Sequence, residues 1–458
     1  MKKTIFFSLL ILPILLGLFY IYYFYTSPKI YVEPLPFTPS IQPQEESLPQ
    51  EEPKFLKDFQ SFKEELMLAE QDFLEANLQY MELRLYQNGV ILKELPILRR
   101  GDPQNWGGTA AGLYQVITKY KSAYSASAKV YMPYAIHFYG KYLIHGEPYY
   151  LGGGRLISEV SGGCIQLLDQ NAETVFSAVE RGMPILVIDK ENDDYAYPRQ
   201  KTSEFPKISA ESYLVADLDS GFVFAEKNPN EKLPAASLTK LMTAIVVAEN
   251  VDLRRSIQVK KWMLEPYGST KGLETGKWFS ATELLYPLLI ESSNDAAEVL
   301  SSFSGKEKTI ELMNEKAKSI LMPDTKFVDP QGLNPENIST SQDLFYLARY
   351  ILNNRPPLLG ISRGDKNQEM AALPFKGLDN KNLFFDNPDF IGGKADYISA
   401  PGYNGIFLFR FITEEGIERK VVIIVLGAKG LDIGADNLKK DVEEINNWLK
   451  ENYFKKEQ

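Results

Sequence analysis

The segment Pro234-Ala-Ala-Ser-Leu-Thr-Lys-Leu-Met-Thr-Ala244 opens an apolar run at helical spacing and sets Ser237 three residues before Lys240. Side chains three apart lie on one helix face. The lysine amine is therefore placed to take the hydroxyl proton as the serine attacks a carbonyl carbon. A Ser-x-x-Lys spacing alone is common by chance, so its weight comes from what surrounds it. Upstream, Tyr213–Asp217 and Phe222–Ala225 read as a hairpin around Asp219-Ser220-Gly221. Downstream, Ser280 and Glu283 have the spacing of a capping box ahead of a helix over Ala281–Ile290. That helix runs into Glu291-Ser-Ser-Asn-Asp-Ala-Ala297, which contributes Ser292 and Asn294. Phe327-Val-Asp-Pro-Gln-Gly-Leu333, Asn337, Ser339–Leu344, Gly392-Gly-Lys-Ala-Asp-Tyr397 and a strand over Val421–Ala428 before a last helix complete the series.

In order and spacing these elements resemble the penicillin-binding D-alanyl-D-alanine carboxypeptidases, from about Ile208 to Asn452. The resemblance implies an α+β domain over residues 208–454, an antiparallel sheet flanked by helices as in the serine β-lactamases and penicillin-binding proteins. It makes Ser237 the acylated nucleophile, Lys240 its base, and Ser292 with Asn294 a proton relay and substrate contact. Lys394 and Tyr397 become substrate-binding residues, with the Ser237 and Tyr397 backbone N–H groups as the oxyanion hole. β-Lactam antibiotics are the inhibitors such a site implies. Lys394-Ala395-Asp396 stands where the family has Lys-Thr-Gly, which is read as the loss of a hydroxyl and the gain of a carboxylate.

Ahead of this region the pattern changes. Apolar residues at Phe59, Phe62, Leu66 and Leu68 predict a short helix within Phe55–Leu74, and Asn88-Gly89 predicts a type I′ turn between strands over Leu78–Leu85 and Val90–Leu95. Strand-like runs follow at Gly112–Thr118, Ala128–Met132, Ala135–Phe138 and Lys141–Ile144, then a helix over Asn171–Glu180. Within them lie Met132-Pro-Tyr-Ala-Ile-His-Phe-Tyr-Gly-Lys-Tyr-Leu-Ile-His-Gly146 and, after a gap, Ser161-Gly-Gly-Cys-Ile-Gln-Leu167. With Gly108–Tyr114 and the strand Met183–Ile188, they resemble the L,D-transpeptidase catalytic domain over about Gln71–Asp189.

That second resemblance implies a mainly-β domain over residues 55–190. Cys164 is its nucleophile, His145 the base that produces the thiolate, and Ser161 and Gly163 contacts to substrate. Gly162 and Gln166 replace the family's usual His and Arg. His137 is read as a packed strand residue.

The 458-residue length and the 44% hydrophobic, 24% charged composition imply more than one folded domain. Lys and Arg total 50 against 60 Asp and Glu, a net charge of −10 with no basic cluster, which excludes a nucleic-acid partner. One cysteine rules out an intramolecular disulfide, two histidines argue against a metal site, and no cofactor is expected. Ile5–Tyr25 is apolar enough and long enough to cross a bilayer, and Lys2 and Lys3 before it keep the N-terminus inside. Residues 1–26 therefore read as a single-pass anchor in the cell membrane with all that follows outside the cytoplasm. Residues 27–54, repeating Pro, Gln and Glu, read as a stalk, and 191–207 as an interdomain connection.

Peptidoglycan stem peptides are the partners both resemblances imply. The functional expectation is a bifunctional enzyme, a Cys-dependent L,D-transpeptidase and a Ser/Lys D,D-carboxypeptidase. The alternative is a wall-binding scaffold whose clefts recognise stem peptides without turning them over.

Overall fold

The computed structural model describes residues 53–197, 203–264, 270, 272–365, 373–375, 377–396, 402–429 and 436–454. The anchor expected over residues 1–26 and most of the stalk lie outside these residues, and so does Tyr397. No helix among the described residues is long and apolar enough to cross a membrane.

Two sheets build the first domain. One has five strands in the order Val90–Pro96, Glu82–Gln87, Phe73–Asn77, Pro184–Ile188, Gly112–Gln115. The other has four, Thr118–Ser125, Val130–Tyr139, Tyr142–His145 and Ile165–Gln166. Alternating side chains such as Leu74, Ala76, Ile136, Phe138, Ile144 and Ile165 fill the core, closed by the helix Asp169–Ala178. The Asn88-Gly89 turn forms as expected, with both residues at positive φ. The strand expected over Leu78–Leu85 forms only as Glu82–Gln87, and an additional strand, Phe73–Asn77, precedes it, buried along its whole length between two neighbours. Ala128–Met132 and Ala135–Phe138 merge into one ten-residue strand running through Pro133.

The second domain centres on a five-stranded antiparallel sheet: Val223–Lys227, Ser212–Asp217, Glu418–Ala428, Tyr403–Ile412, Phe390–Ala395. One face carries a helical layer packed around Thr239–Asn250, whose residues are almost all buried. The other carries an aromatic cluster, including Phe384, Phe390, Phe407 and Phe409, beneath the C-terminal helix Asp436–Asn452.

The two domains are docked against each other. Residues 53–58 join the second domain's hairpin through backbone hydrogen bonds from Leu56 N to Gly221 O (3.0 Å) and from Val223 N to Lys54 O (3.0 Å). Leu56, Phe59 and Phe62 pack onto the helical core of the second domain. The short helix, formed over Phe59–Leu68, thus spends its apolar residues on the second domain as well as its own. In the connection, Asp193 holds Arg419 at 2.7 Å and the Tyr197 hydroxyl donates to Asp217.

Candidate active sites

Ser237 stands in a 3₁₀ turn, Ala236–Leu238, that leads directly into the helix Thr239–Asn250. Lys240, in the first turn of that helix, is fully buried, and its Nζ donates to Ser237 Oγ at 3.0 Å and to the Gln331 carbonyl at 2.6 Å. Burial lowers this amine to about 8, against the opposing pull of Asp396 and Asp329. A usable fraction of it is therefore neutral near physiological pH.

Ala236 holds a positive φ of 48° immediately before Ser237, and a Cβ on Gly332 would sit 1.8 Å from the Ala236 carbonyl. Only glycine lets the Gln331-Gly332 turn press this close. Asp329 makes that turn by accepting from the N–H groups of Gln331 (3.0 Å) and Asn334 (2.7 Å). The Gln331 side chain is itself held by Glu298, which pairs with Lys306 at 2.9 Å. Gln331 had no assigned role in the sequence reading, because what it contributes is a carbonyl oxygen that any residue carries. The Asp-Pro-x-Gly turn chemistry was the one available signal. Asn337 supports the same turn by accepting from Val328 N at 2.9 Å.

Ser292 lies at positive φ (60°), its Oγ buried and without a hydrogen-bond partner among the described residues. Strained backbone of this kind gathers at functional sites. Asn294 begins the helix Asn294–Ser301, whose N-cap is Ser293.

On the facing strand Lys394 is buried, and its amine is lowered to about 7 by burial and by Lys240, with Asp396 opposing. Lys394 and Asp396 therefore share a side of the strand with Lys240, and Ala395 packs into the aromatic cluster on the other. This corrects the reading of position 395: its side chain faces the core, so the departure that reaches the cleft is the Asp396 carboxylate.

In the first domain the parallel pairing of Tyr142–His145 with Ile165–Gln166 sets His145 opposite Gln166, two residues past Cys164. His145 is buried, and its Nδ1 faces the Gly146 carbonyl at 2.5 Å. A carbonyl only accepts, so Nδ1 carries the proton and Nε2 is left as the basic nitrogen. Burial lowers the imidazole to about 4 and raises the Cys164 thiol to about 11. The Cys164 thiol has backbone neighbours, Lys141 O at 3.9 Å and the Leu143 backbone, and no hydrogen bond joins it to His145 among the described residues. Both shifts favour the neutral forms of the two groups over a thiolate–imidazolium pair.

Ser161 ties the turn at Cys164, accepting from Gly163 N at 3.1 Å and donating to the Cys164 carbonyl at 2.5 Å. Gly163 has φ +116°, and a Cβ there would meet the Tyr142 ring at 2.4 Å. A Cβ on Gly162 would meet nothing within 4 Å. Gln166 is buried with its amide Nε2 unpartnered among the described residues, and His137 Nε2 closes its hairpin against Gly140 O at 2.8 Å.

The comparisons follow this division. Residues 71–187 match the L,D-transpeptidase catalytic domain, and residues 199–430 the D-alanyl-D-alanine carboxypeptidase family. The chain is 34% identical over 206 residues to a D-alanyl-D-alanine endopeptidase of Haemophilus influenzae, covering 43% of this chain and 70% of that protein. It is 30% identical over 204 residues to the D-alanyl-D-alanine carboxypeptidase DacB2 of Mycobacterium tuberculosis, covering 43% and 68%. The match to D-alanyl-D-alanine carboxypeptidase DacC of Escherichia coli, 30% over 249 residues, takes in 51% of this chain and 60% of that protein's length. With the family match spanning half the chain, this protein belongs to the D-alanyl-D-alanine carboxypeptidase family and carries an L,D-transpeptidase catalytic domain in front of it.

Proposed function

We propose that the chain is a bifunctional peptidoglycan-processing enzyme, with a serine D,D-carboxypeptidase site at Ser237 and a cysteine L,D-transpeptidase site at Cys164. The observation that carries the reading is the buried, burial-lowered Lys240 amine 3.0 Å from Ser237 Oγ. A lysine costs free energy to bury, and a structural role would not need it against a hydroxyl.

At the serine site, Ser237 Oγ attacks the carbonyl of the D-Ala-D-Ala bond of a pentapeptide stem while Lys240 takes the proton. The bond to the terminal D-Ala breaks, its nitrogen leaves with a proton, and water releases the acyl group as a tetrapeptide. By the family resemblance Ser292 and Asn294 relay the proton and contact the substrate, and Lys394 binds its terminal carboxylate. At the cysteine site, Cys164 Sγ attacks the penultimate carbonyl of a tetrapeptide stem as His145 Nε2 takes the thiol proton. D-Ala leaves, and the amine of a second stem resolves the thioester into a cross-link.

One site thus makes the other's donor. Incubating the protein with defined pentapeptide and tetrapeptide muropeptides, with products followed by mass spectrometry, tests the scheme. Ser237→Ala should abolish D-Ala release from pentapeptide alone, and Cys164→Ala cross-linking of tetrapeptide alone. Stem-peptide binding without turnover at either site would instead establish the scaffold reading, which the Asp396 carboxylate favours.

We further propose that residues 1–26 anchor the chain with both sites outside the cytoplasm, on the apolar run Ile5–Tyr25 behind Lys2 and Lys3. Protease added to intact spheroplasts should then digest both domains, and protection of them would refute it.

A further inference from the structure

The cysteine site is walled in part by groups that the second domain holds. Tyr142 is fully buried, and its ring lies where a Cβ on Gly163 would be, one residue from Cys164. The Gly107 carbonyl approaches the same point at 3.2 Å. Neither the ring nor the Gly107-Gly108 turn is fixed by the first domain alone. Arg355, fully buried in the second domain, donates from Nη2 to the Tyr142 hydroxyl (2.7 Å) and from Nη1 to the Gly108 carbonyl (2.9 Å). Its guanidinium is anchored in turn on Glu249 Oε1 at 2.9 Å. A planar fork with several fixed donors suits this triple task, holding an aromatic hydroxyl, a turn and a carboxylate at once.

Glu249 stands at the C-terminal end of the helix whose first turn carries Lys240. The same helix end accepts Lys141 Nζ at the Ala248 carbonyl (3.3 Å), and the Lys141 carbonyl is the group 3.9 Å from Cys164 Sγ. Every one of these contacts crosses the domain boundary or sits next to one that does.

We propose that Arg355 is a positioning residue for the cysteine reaction: anchored on Glu249, it holds Tyr142 and the Gly107-Gly108 turn against Gly163, so that Cys164 reaches its reactive geometry only with the second domain docked. The proposal rests on the reading of Cys164 as the nucleophile. A misplacement of the nucleophile lowers the rate of attack far more than it weakens binding of a long stem peptide.

The test uses the full-length chain with Arg355→Lys, which keeps the charge beside Glu249 and loses the fork, and Tyr142→Phe, which removes one hydroxyl and leaves the ring. Kinetics are read on tetrapeptide cross-linking, and labelled penicillin bound at Ser237 reports the integrity of the second domain. Each variant should lose about tenfold or more in kcat with KM changed by less than about twofold, and the double variant should be no slower than the worse single one. Labelling of Ser237 should match wild type. Unchanged kcat in Tyr142→Phe, or losses that multiply in the double variant, would overturn the positioning role even if Arg355→Lys failed to fold. A wild-type chain without cysteine-dependent turnover would overturn the nucleophile assignment and this proposal together, whereas an active wild type with unaffected variants overturns only this one.

Discussion

Single residues set the chemistry through burial. Lys240 at about 8 and Lys394 at about 7 place two amines in one site that change charge around neutrality. A general base must be neutral to act, whereas Lys394 must stay charged to hold a carboxylate, so acylation of Ser237 by labelled penicillin should follow a bell-shaped profile with its maximum at roughly pH 7 to 8. Asp396 pulls both amines upward, so Asp396→Asn should move the rising limb to lower pH. A pH-independent rate would contradict the assignment of Lys240 as base. The glycines beside Cys164 make a second contrast. Gly163→Ala meets both the strained φ and the Tyr142 ring, and should cost about 1–3 kcal/mol in denaturant unfolding. Gly162→Ala has open space and should stay within about 0.5 kcal/mol of wild type. The pairing of Ser237 with Lys240 was legible in sequence from residue type and spacing, and the two meet at 3.0 Å. Gln331 was not, since it acts through its backbone, and neither was the direction of Ala395, which depends on which strand face the core occupies.

Helices and strands were legible wherever a local signal closed on itself. The capping box at Ser280 is present as expected, with Glu283 N donating to Ser280 Oγ at 3.2 Å and Ser280 N to the Glu283 carboxylate at 2.6 Å. Ser280→Ala should lower stability by about 0.5–2 kcal/mol, read as a shift in urea midpoint, and an unmoved midpoint would mean the box contributes nothing. The helix Phe59–Leu68 shows the opposite case. Its spacing predicted the helix, and only tertiary packing revealed that Leu56, Phe59 and Phe62 serve the second domain's core. The strand Val130–Tyr139 ran on through Pro133 because Ser122 opposite and the Gly146 N–H bonded to the Pro133 carbonyl keep the pairing on both sides.

At the scale of the whole molecule, the domains meet over a buried cluster of charges. Glu249 pairs with Lys316 at 3.0 Å and with Arg355 at 2.9 Å, and all three side chains are fully inaccessible. Burial alone would raise the Glu249 carboxyl, but Lys316 and Arg355 outweigh it and hold it below its ordinary value. Lys316 also donates to Tyr114 of the first domain at 2.9 Å and to Tyr350 at 2.7 Å. Glu249→Gln leaves two buried cations without their counter-charge and should cost about 3–5 kcal/mol in chemical denaturation. A loss under about 1 kcal/mol would show that the cluster does not hold the interface. The sequence by itself determined the two families, the Ser237–Lys240 spacing and the local helices and turns, because each depends on residue type at short spacing. Only the tertiary structure decided that burial pushes Cys164 and His145 toward their neutral forms, that Asp396 lies near two lysines, and that Arg355 reaches from one domain to the other's Tyr142 and Gly108. Those outcomes depend on burial and on partners distant along the chain, up to 247 positions for Arg355 and Gly108, and no short-range pattern encodes them.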